Sequence, residues 1–158
     1  MLLREATHQR LGVAVIVKHP TAGLGRRNRI NLWLSDQSPE WSMQMEFDMD
    51  LSILLAYRLM DSWKSALNVF IAVENPEDTE KARTFLGRLV DAARLPARTK
   101  VYVADEDLGR FSSKAPQADL NIFPLADKLD AEFMFQMRDT TQSSCLFTRD
   151  GGDESSLA

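Results

Sequence analysis

The sequence predicts an α/β domain in which a mainly parallel sheet carries helices on both faces. Two observations lead there. Short apolar, β-branched runs alternate with segments of helical periodicity along almost the whole chain, the pattern that βαβ units write into a sequence. One run, LNVFIAV (67–73), is apolar throughout but for Asn68, as expected of a parallel strand covered on both sides. With 158 residues and no internal repeat or low-complexity linker, a single domain follows, and a chain of this length buries roughly 70% of its unfolded surface. The expected organisation is a basic lead-in over 1–10, one α/β domain over 11–149 and a solvated tail over 150–158.

Taken in order, the lead-in can form a short helix, and LGVAVIVKH (11–19) is expected as a buried first strand. Pro20, Gly23 and Gly25 mark a loop. RINLWLS (29–35) is the second strand. The stretch 36–48 is ambiguous: Met43, Met45 and Phe47 alternate like a strand, whereas Ser38-Pro39-Glu40 looks like a turn or cap. Asp48 or Asp50 is then expected to cap a helix through 51–63, with Leu51, Leu54, Leu55, Leu59 and Trp63 at helical spacing. After the third strand, Pro76 followed by Glu77, Asp78 and Glu80 makes a helix start matched to the macrodipole. That helix ends before Pro96. TKVYVA is the fourth strand and DLGRFSSKA a weaker helix. ADLNIFPL is the fifth strand, KLDAEFMFQM a short helix and SSCLFTRD the last strand.

Composition narrows the setting. One cysteine, Cys145, excludes an internal disulfide, which fits a reducing compartment. Within SCLF it is expected as a buried small hydrophobe rather than a nucleophile. No run approaches the ~18 apolar residues of a membrane span, and the first ten residues lack the apolar core of a signal peptide. The net charge of −4 is unevenly distributed. Residues 1–30 hold six basic side chains against one acid, and residues 31–62 hold six acids against one basic side chain. Solvated faces of opposite sign are the ordinary explanation, with a neighbouring subunit or a membrane surface as the alternatives.

Catalytic and ligand signatures fail one after another. Gly23 and Gly25 follow a strand, but position 28 is Asn28 instead of the third glycine of G-x-G-x-x-G, and the next segment is a strand. There is no P-loop and no G-x-S-x-G elbow. His8 and His19 belong to no zinc-binding spacing. Glu46, Asp48 and Asp50 are better explained as caps than as a cation site. Arg26, Arg27 and Arg29 lie near Trp33, but the acidic balance of the chain argues against nucleic acid. Asp36, at the end of the second strand where α/β ligands sit, lacks any partner for chemistry and is expected to cap the following turn. Trp41, beside Pro39 and Glu40, is the aromatic that could anchor a partner.

The segments RINLWLSDQSPEW, DLSILLAYRLMDSWKSALNVFIAVENPEDTEKARTFLGRLVDAARLPARTKVYV, ADLNIFPL and SSCLFTRDGGDES together resemble the C-terminal cytosolic domain of prokaryotic cation–chloride cotransporters, Na–K–Cl-cotransporter-like permeases of the amino acid-polyamine-organocation superfamily. The likeness runs from about Gly12 to the terminus. It is carried by Trp33, Asp36, the run 51–59, the strand 69–73 and the segment 85–89.

The resemblance implies a universal-stress-protein-like, Rossmann-like three-layer sandwich. It also implies a regulatory and dimerising role on the cytoplasmic side of the inner membrane, with a transmembrane permease domain as partner. No transport pathway, catalytic residue, metal or cofactor is expected in this chain. Trp41, Met43 and Met45 are the interface candidates for a homodimer, with core packing as their competing role. Arg4, Arg10, Arg26 and Arg27 could meet the membrane surface. The alternative is a free-standing nucleotide-binding protein of the stress-protein type, holding adenine nucleotide with Gly23, Gly25 and Asp36. Against it, ATP-binding relatives carry a glycine-spaced loop after the fourth strand, where this chain has only Gly109.

Overall fold

The computed structural model describes residues 12–42, 49–125 and 130–151. Its strands are β1 (Val13–Val17), β2 (Arg29–Leu34), β3 (Ala66–Ala72), β4 (Lys100–Ala104), β5 (Leu120–Pro124) and β6 (Ser144–Arg149). Four helices are described: α1 (Asp50–Trp63), α2 (Thr79–Ala92), α3 (Leu108–Lys114) and α4 (Ala131–Thr141). The sheet runs β1-β6-β5-β2-β3-β4. All neighbours are parallel except β1, which lies antiparallel to β6. The strand order reverses between β2 and β5, the doubly wound arrangement. The expected α/β class with a mainly parallel sheet is the observed one.

Side-chain alternation divides the strands between two different layers. Ile30, Leu32, Leu34, Val69, Ile71 and Ile122 face α1 and α2 in an aliphatic layer. The alternate positions face α3 and α4. There the register puts Tyr102, Phe70, Trp33, Phe123 and Phe147 in one row across five strands. Trp33 stacks on Phe70 at 4.2 Å and on Phe123 at 5.5 Å between ring centroids. Cross-strand aromatic pairs of this kind pin register, because a one-residue slip would turn every ring to the other face. One step towards the amino ends of the parallel strands lies a row of buried asparagines. Asn68 Nδ2 donates to Asn31 Oδ1 at 3.1 Å, Asn31 Nδ2 to the Pro116 carbonyl at 2.8 Å, and Trp33 Nε1 to Asn121 Oδ1 at 2.9 Å. Each has a partner, as burial demands.

Three expectations need correction. The first strand is not buried throughout: β1 is an edge strand whose burial alternates, with Ile16 51% exposed. Among the described residues only its Val13, Val15 and Val17 side is covered. The buried stripe of α1 is Ile53, Ala56 and Met60, while the leucines flank it half-buried. A helix apolar on most of its circumference leaves the choice of inward stripe to packing. Finally, Asp50 does not cap α1. Asp48 lies outside the described residues, and Asp50 is the first helical residue. The cap comes from Asp150, whose carboxylate accepts from the N–H groups of Asp50 at 2.7 Å and Leu51 at 3.1 Å. The first residue of the expected tail is thus tied into the fold. The lead-in 1–10, with Arg4 and Arg10, lies outside the described residues, as do Met43 and Met45.

Candidate functional site

Doubly wound sheets bind ligands at the carboxyl ends of their strands. A cleft of about 500 Å³ lies at the ends of β2, β3 and β4, lined by Asp36, Val73, Glu74, Asp105, Glu106 and Leu108, among others. Asp36 stands on its rim, where the β2 run ends. Its Oδ1 accepts from the Ser38 N–H at 2.8 Å and its Oδ2 from the Glu74 N–H at 3.0 Å. The carboxylate therefore closes the turn after β2 and clips it to the end of β3. Partial burial pushes its pKa up, but the N–H groups of Glu74 and Ser38 and the Ser38 hydroxyl more than offset that, leaving the group below the ordinary carboxylate range. A carboxyl held ionised and doubly engaged is a poor general acid.

Most of the other carboxylates at this end are also occupied by backbone donors or cations, Glu74 and Asp105 excepted. Asp107 caps α3, accepting from the Arg110 N–H at 3.0 Å, and Asp130 caps α4, accepting from the Phe133 N–H at 3.1 Å. With Asp150 on α1, three of the four described helix N-termini already hold a carboxylate of the chain itself. Glu106 pairs with Lys114 at 2.7 Å. A helix N-terminus is where a phosphate would bind, and here the chain's own carboxylates take those positions, Asp107 doing so in the cleft lined with further negative charge. No group of three or more His, Cys, Asp or Glu side chains among the described residues is placed to hold a metal ion.

Gly23 and Gly25 sit at the other end of the molecule. Both have φ of +55°, and they shape a loop at the amino ends of β2 and β5. An ideal Cβ on Gly25 would come within 2.2 Å of Asp119 Oδ1. That close approach has a purpose: the Asp119 carboxylate accepts from the N–H groups of Arg26 at 3.3 Å, Asn28 at 2.7 Å and Arg29 at 3.0 Å. His19 Nδ1 secures the loop's start, accepting from Ala22 N–H at 3.0 Å, and the Ser144 hydroxyl donates to the Gly23 carbonyl. The glycines thus serve a turn that wraps its own carboxylate. The six-residue β2 strand, roughly 20 Å long, separates them from Asp36, so the nucleotide constellation that joined these residues is not brought together. Gly109 lies inside α3 and not in an open loop.

Trp41 is half-buried against the aliphatic core, edge-on to Phe85 at 5.7 Å, with Nε1 donating to Asp78 Oδ1 at 3.4 Å. It packs inward, the alternative to an interface role. Cys145 is fully buried beneath the aromatic row, and burial pushes its thiol up to about 11 despite its hydrogen bonds with Thr141 and Ser143. No helix among the described residues is long and apolar enough to cross a membrane.

The feature that sequence reasoning missed lies at the Gly25 end. The pairing registers bring Lys18, Arg26, Arg29, Arg94, Arg98 and Lys100 to the amino ends of the parallel strands, and all six are exposed. They come from four separate stretches of sequence, so the basic first 30 residues show only half of them.

Comparison with known proteins assigns the architecture. Residues 25–157 match the family described as prokaryotic cation-chloride cotransporter, C-terminal domain, 2nd. The chain is also similar to the crystal structure of the cytoplasmic domain of a prokaryotic cation chloride cotransporter, at 38% identity and a TM-score of 0.89. That likeness covers 99% of this chain and 59% of the other, so the chain spans about three fifths of that structure's length. No protein of curated function matches it.

Proposed function

The chain belongs to the family of C-terminal domains of prokaryotic cation-chloride cotransporters, and from that membership we propose that it is a regulatory and dimerising module of a Na–K–Cl-type permease of the amino acid-polyamine-organocation superfamily. In this reading it sits on the cytoplasmic side of the inner membrane, is joined to a transmembrane domain, and itself neither catalyses a reaction nor forms the ion pathway. The observation that carries the proposal is the 38% identity sustained over 99% of the chain with a cytoplasmic domain of such a transporter. The acidic cleft supports the non-enzymatic part, because the carboxylates around Asp105 and Glu74 are themselves tied to backbone N–H groups or to Lys114, and no His, Cys or metal-holding group of side chains lies among the described lining residues.

Self-association has candidate surfaces on apolar elements that the described fold leaves uncovered: the β1 edge with Ile16 and the outer side of α1 with Tyr57, 40% exposed. Met43 and Met45 keep their place as interface candidates, and Arg26 and Arg27 as membrane contacts. Two measurements test the reading. Light scattering on the purified chain should give a dimer mass that Ile16→Lys or Tyr57→Lys lowers to the monomer. Chloride-dependent cation flux through the intact permease should change when this domain is removed while the membrane level of the transporter is maintained. A monomer at all concentrations removes the dimerising role, and unaltered flux removes the regulatory one.

A further inference from the structure

We propose that the amino-terminal end of the sheet is a docking surface for anionic lipid headgroups, which sets the domain's orientation against the membrane; the proposal rests on the reading that the domain is joined to a permease. The surface runs the width of the sheet. Lys18 follows β1, Arg26 and Arg29 belong to the loop before β2, and Arg94, Arg98 and Lys100 precede or open β4. Among the described residues no ion pair engages any of the six. The acids nearby are mostly spent: Asp61 pairs with Lys64 at 3.2 Å, Asp139 with Arg138 at 2.9 Å, and Asp119 is wrapped by the loop's N–H groups. Arg27 lies over the Trp63 ring at 5.7 Å, which holds the loop's basic crown against α1.

Two ordinary explanations of such a cluster do not account for it. Compensation of helix dipoles needs cations in the last turns of α1 and α2, and those turns carry none. A uniformly basic protein would show basic ends by default, but this chain has a net charge of −4. The negative charge is gathered at the opposite end, around Asp36, Glu74, Asp105, Glu106 and Asp107. The strands hold the two ends roughly 20 Å apart, about twice the Debye length of ~10 Å at 0.1 M salt. The acidic end therefore does not screen the basic one, and an anionic surface attracts one and repels the other. Only one orientation is favoured, with the cleft turned away from the bilayer.

Vesicle co-flotation of the chain tests this, with phosphatidylcholine alone and with phosphatidylcholine and phosphatidylglycerol in equal parts. The chain should float with the anionic vesicles only and be released near 1 M salt, where the Debye length shrinks to about 3 Å. A well-placed cation is worth about fivefold in binding to an anionic leaflet. Arg26→Gln with Arg98→Gln should therefore weaken binding about 25-fold, whereas Arg58→Gln with Arg110→Gln, the same change in charge on exposed helix positions, should leave it within about twofold. Equal loss in the two pairs overturns the proposal, as does absence of binding at low salt. Displacement by double-stranded DNA at matched phosphate concentration overturns it too, by making the surface a general polyanion site. The assay contains no permease, so its failure leaves the flux test untouched, and a negative flux test leaves this surface standing.

Discussion

The two ends of the sheet carry opposite charge and handle it in opposite ways. At the carboxyl ends, Asp36, Asp107, Asp130 and Asp150 each accept at least one backbone N–H, so the charge there is a by-product of closing turns and capping helices. At the amino ends one carboxylate, Asp119, is used in that way, and the cations around it make no ion pairs among the described residues. A cluster of charge is therefore informative in proportion to what its neighbours leave unengaged. The acidic cleft lies at the carboxyl ends of the strands, the side on which this architecture ordinarily binds ligands, yet its charge is largely explained by the fold. At the basic end the Arg29 guanidinium donates to the Gln117 carbonyl at 3.2 Å, but no ion pair among the described residues accounts for the cluster.

The largest effect should come from the residue that builds the basic end. Gly25→Ala places a Cβ within 2.2 Å of Asp119 Oδ1 at a φ of +55°, so the left-handed penalty adds to the displacement of the carboxylate from three N–H groups. A loss of about 2–3 kcal/mol is expected. For a chain of this size that is roughly 4–12 °C in Tm, read by calorimetry. A neutral Gly25→Ala would mean that the loop does not depend on wrapping Asp119, and the rigid presentation of Arg26 and Arg29 would lose its basis.

At the acidic end, Asp150→Ala should cost about 1–2 kcal/mol, the price of an N-cap, visible as a shift in the urea midpoint with unchanged slope. Because Asp150 serves two N–H groups of α1, Asp150→Asn should recover part of the loss. If neither substitution moved the midpoint, the carboxylates at this end would no longer be explained by capping, and a ligand role for them would return.

How much of this was legible beforehand depended on sequence separation. The strands, the helices and the parallel class were readable because periodicity is local: RINLWLS and LNVFIAV announce themselves within seven residues. Asp36 as a cap was also readable, since Ser38 is two residues away. Its clip to Glu74, 38 residues on, was not. The Asp150 cap lies 100 residues from the helix it closes, and Asp119 about 90 from the loop it anchors. The position of β1 at an edge was hidden as well, because VAVIV is as apolar as a central strand and only the antiparallel pairing with β6 leaves Ile16 outside. The basic end combines residues from 18 to 100 that become neighbours only through the strand order.

Asp36 offers a smaller test, through pH. Its folded-state pKa is lowered, so its contribution to stability is fully present above the unfolded value of about 3.9 and is lost as pH falls through the folded value below it. Asp36→Ala should therefore cost about 1 kcal/mol near neutral pH, and the gap from the unaltered chain should close as pH is taken well below 4. Urea unfolding at pH 7 and in the acid limb measures both. A gap that stayed constant would show that the side chain acts through packing and not through its charge.

The smallest expected effect is the most decisive for the comparison of ends. ATP with magnesium should leave Tm unchanged. A ligand at a hundredfold its Kd stabilises by about 2.7 kcal/mol, which in a domain of this size raises Tm by roughly 5–11 °C, so a null result is easily told from binding. The expectation follows from occupancy: the N-termini of α1, α3 and α4 each hold a carboxylate where a phosphate would sit, and the glycine turn is folded around Asp119 at the far end of β2. A clear rise in Tm would require one of those carboxylates to give way to phosphate. It could be located by combining the nucleotide with each cap substitution in turn. The cap whose removal strengthens binding marks the entry point, and the charges at that end would then be a guarded ligand site instead of the residue of capping.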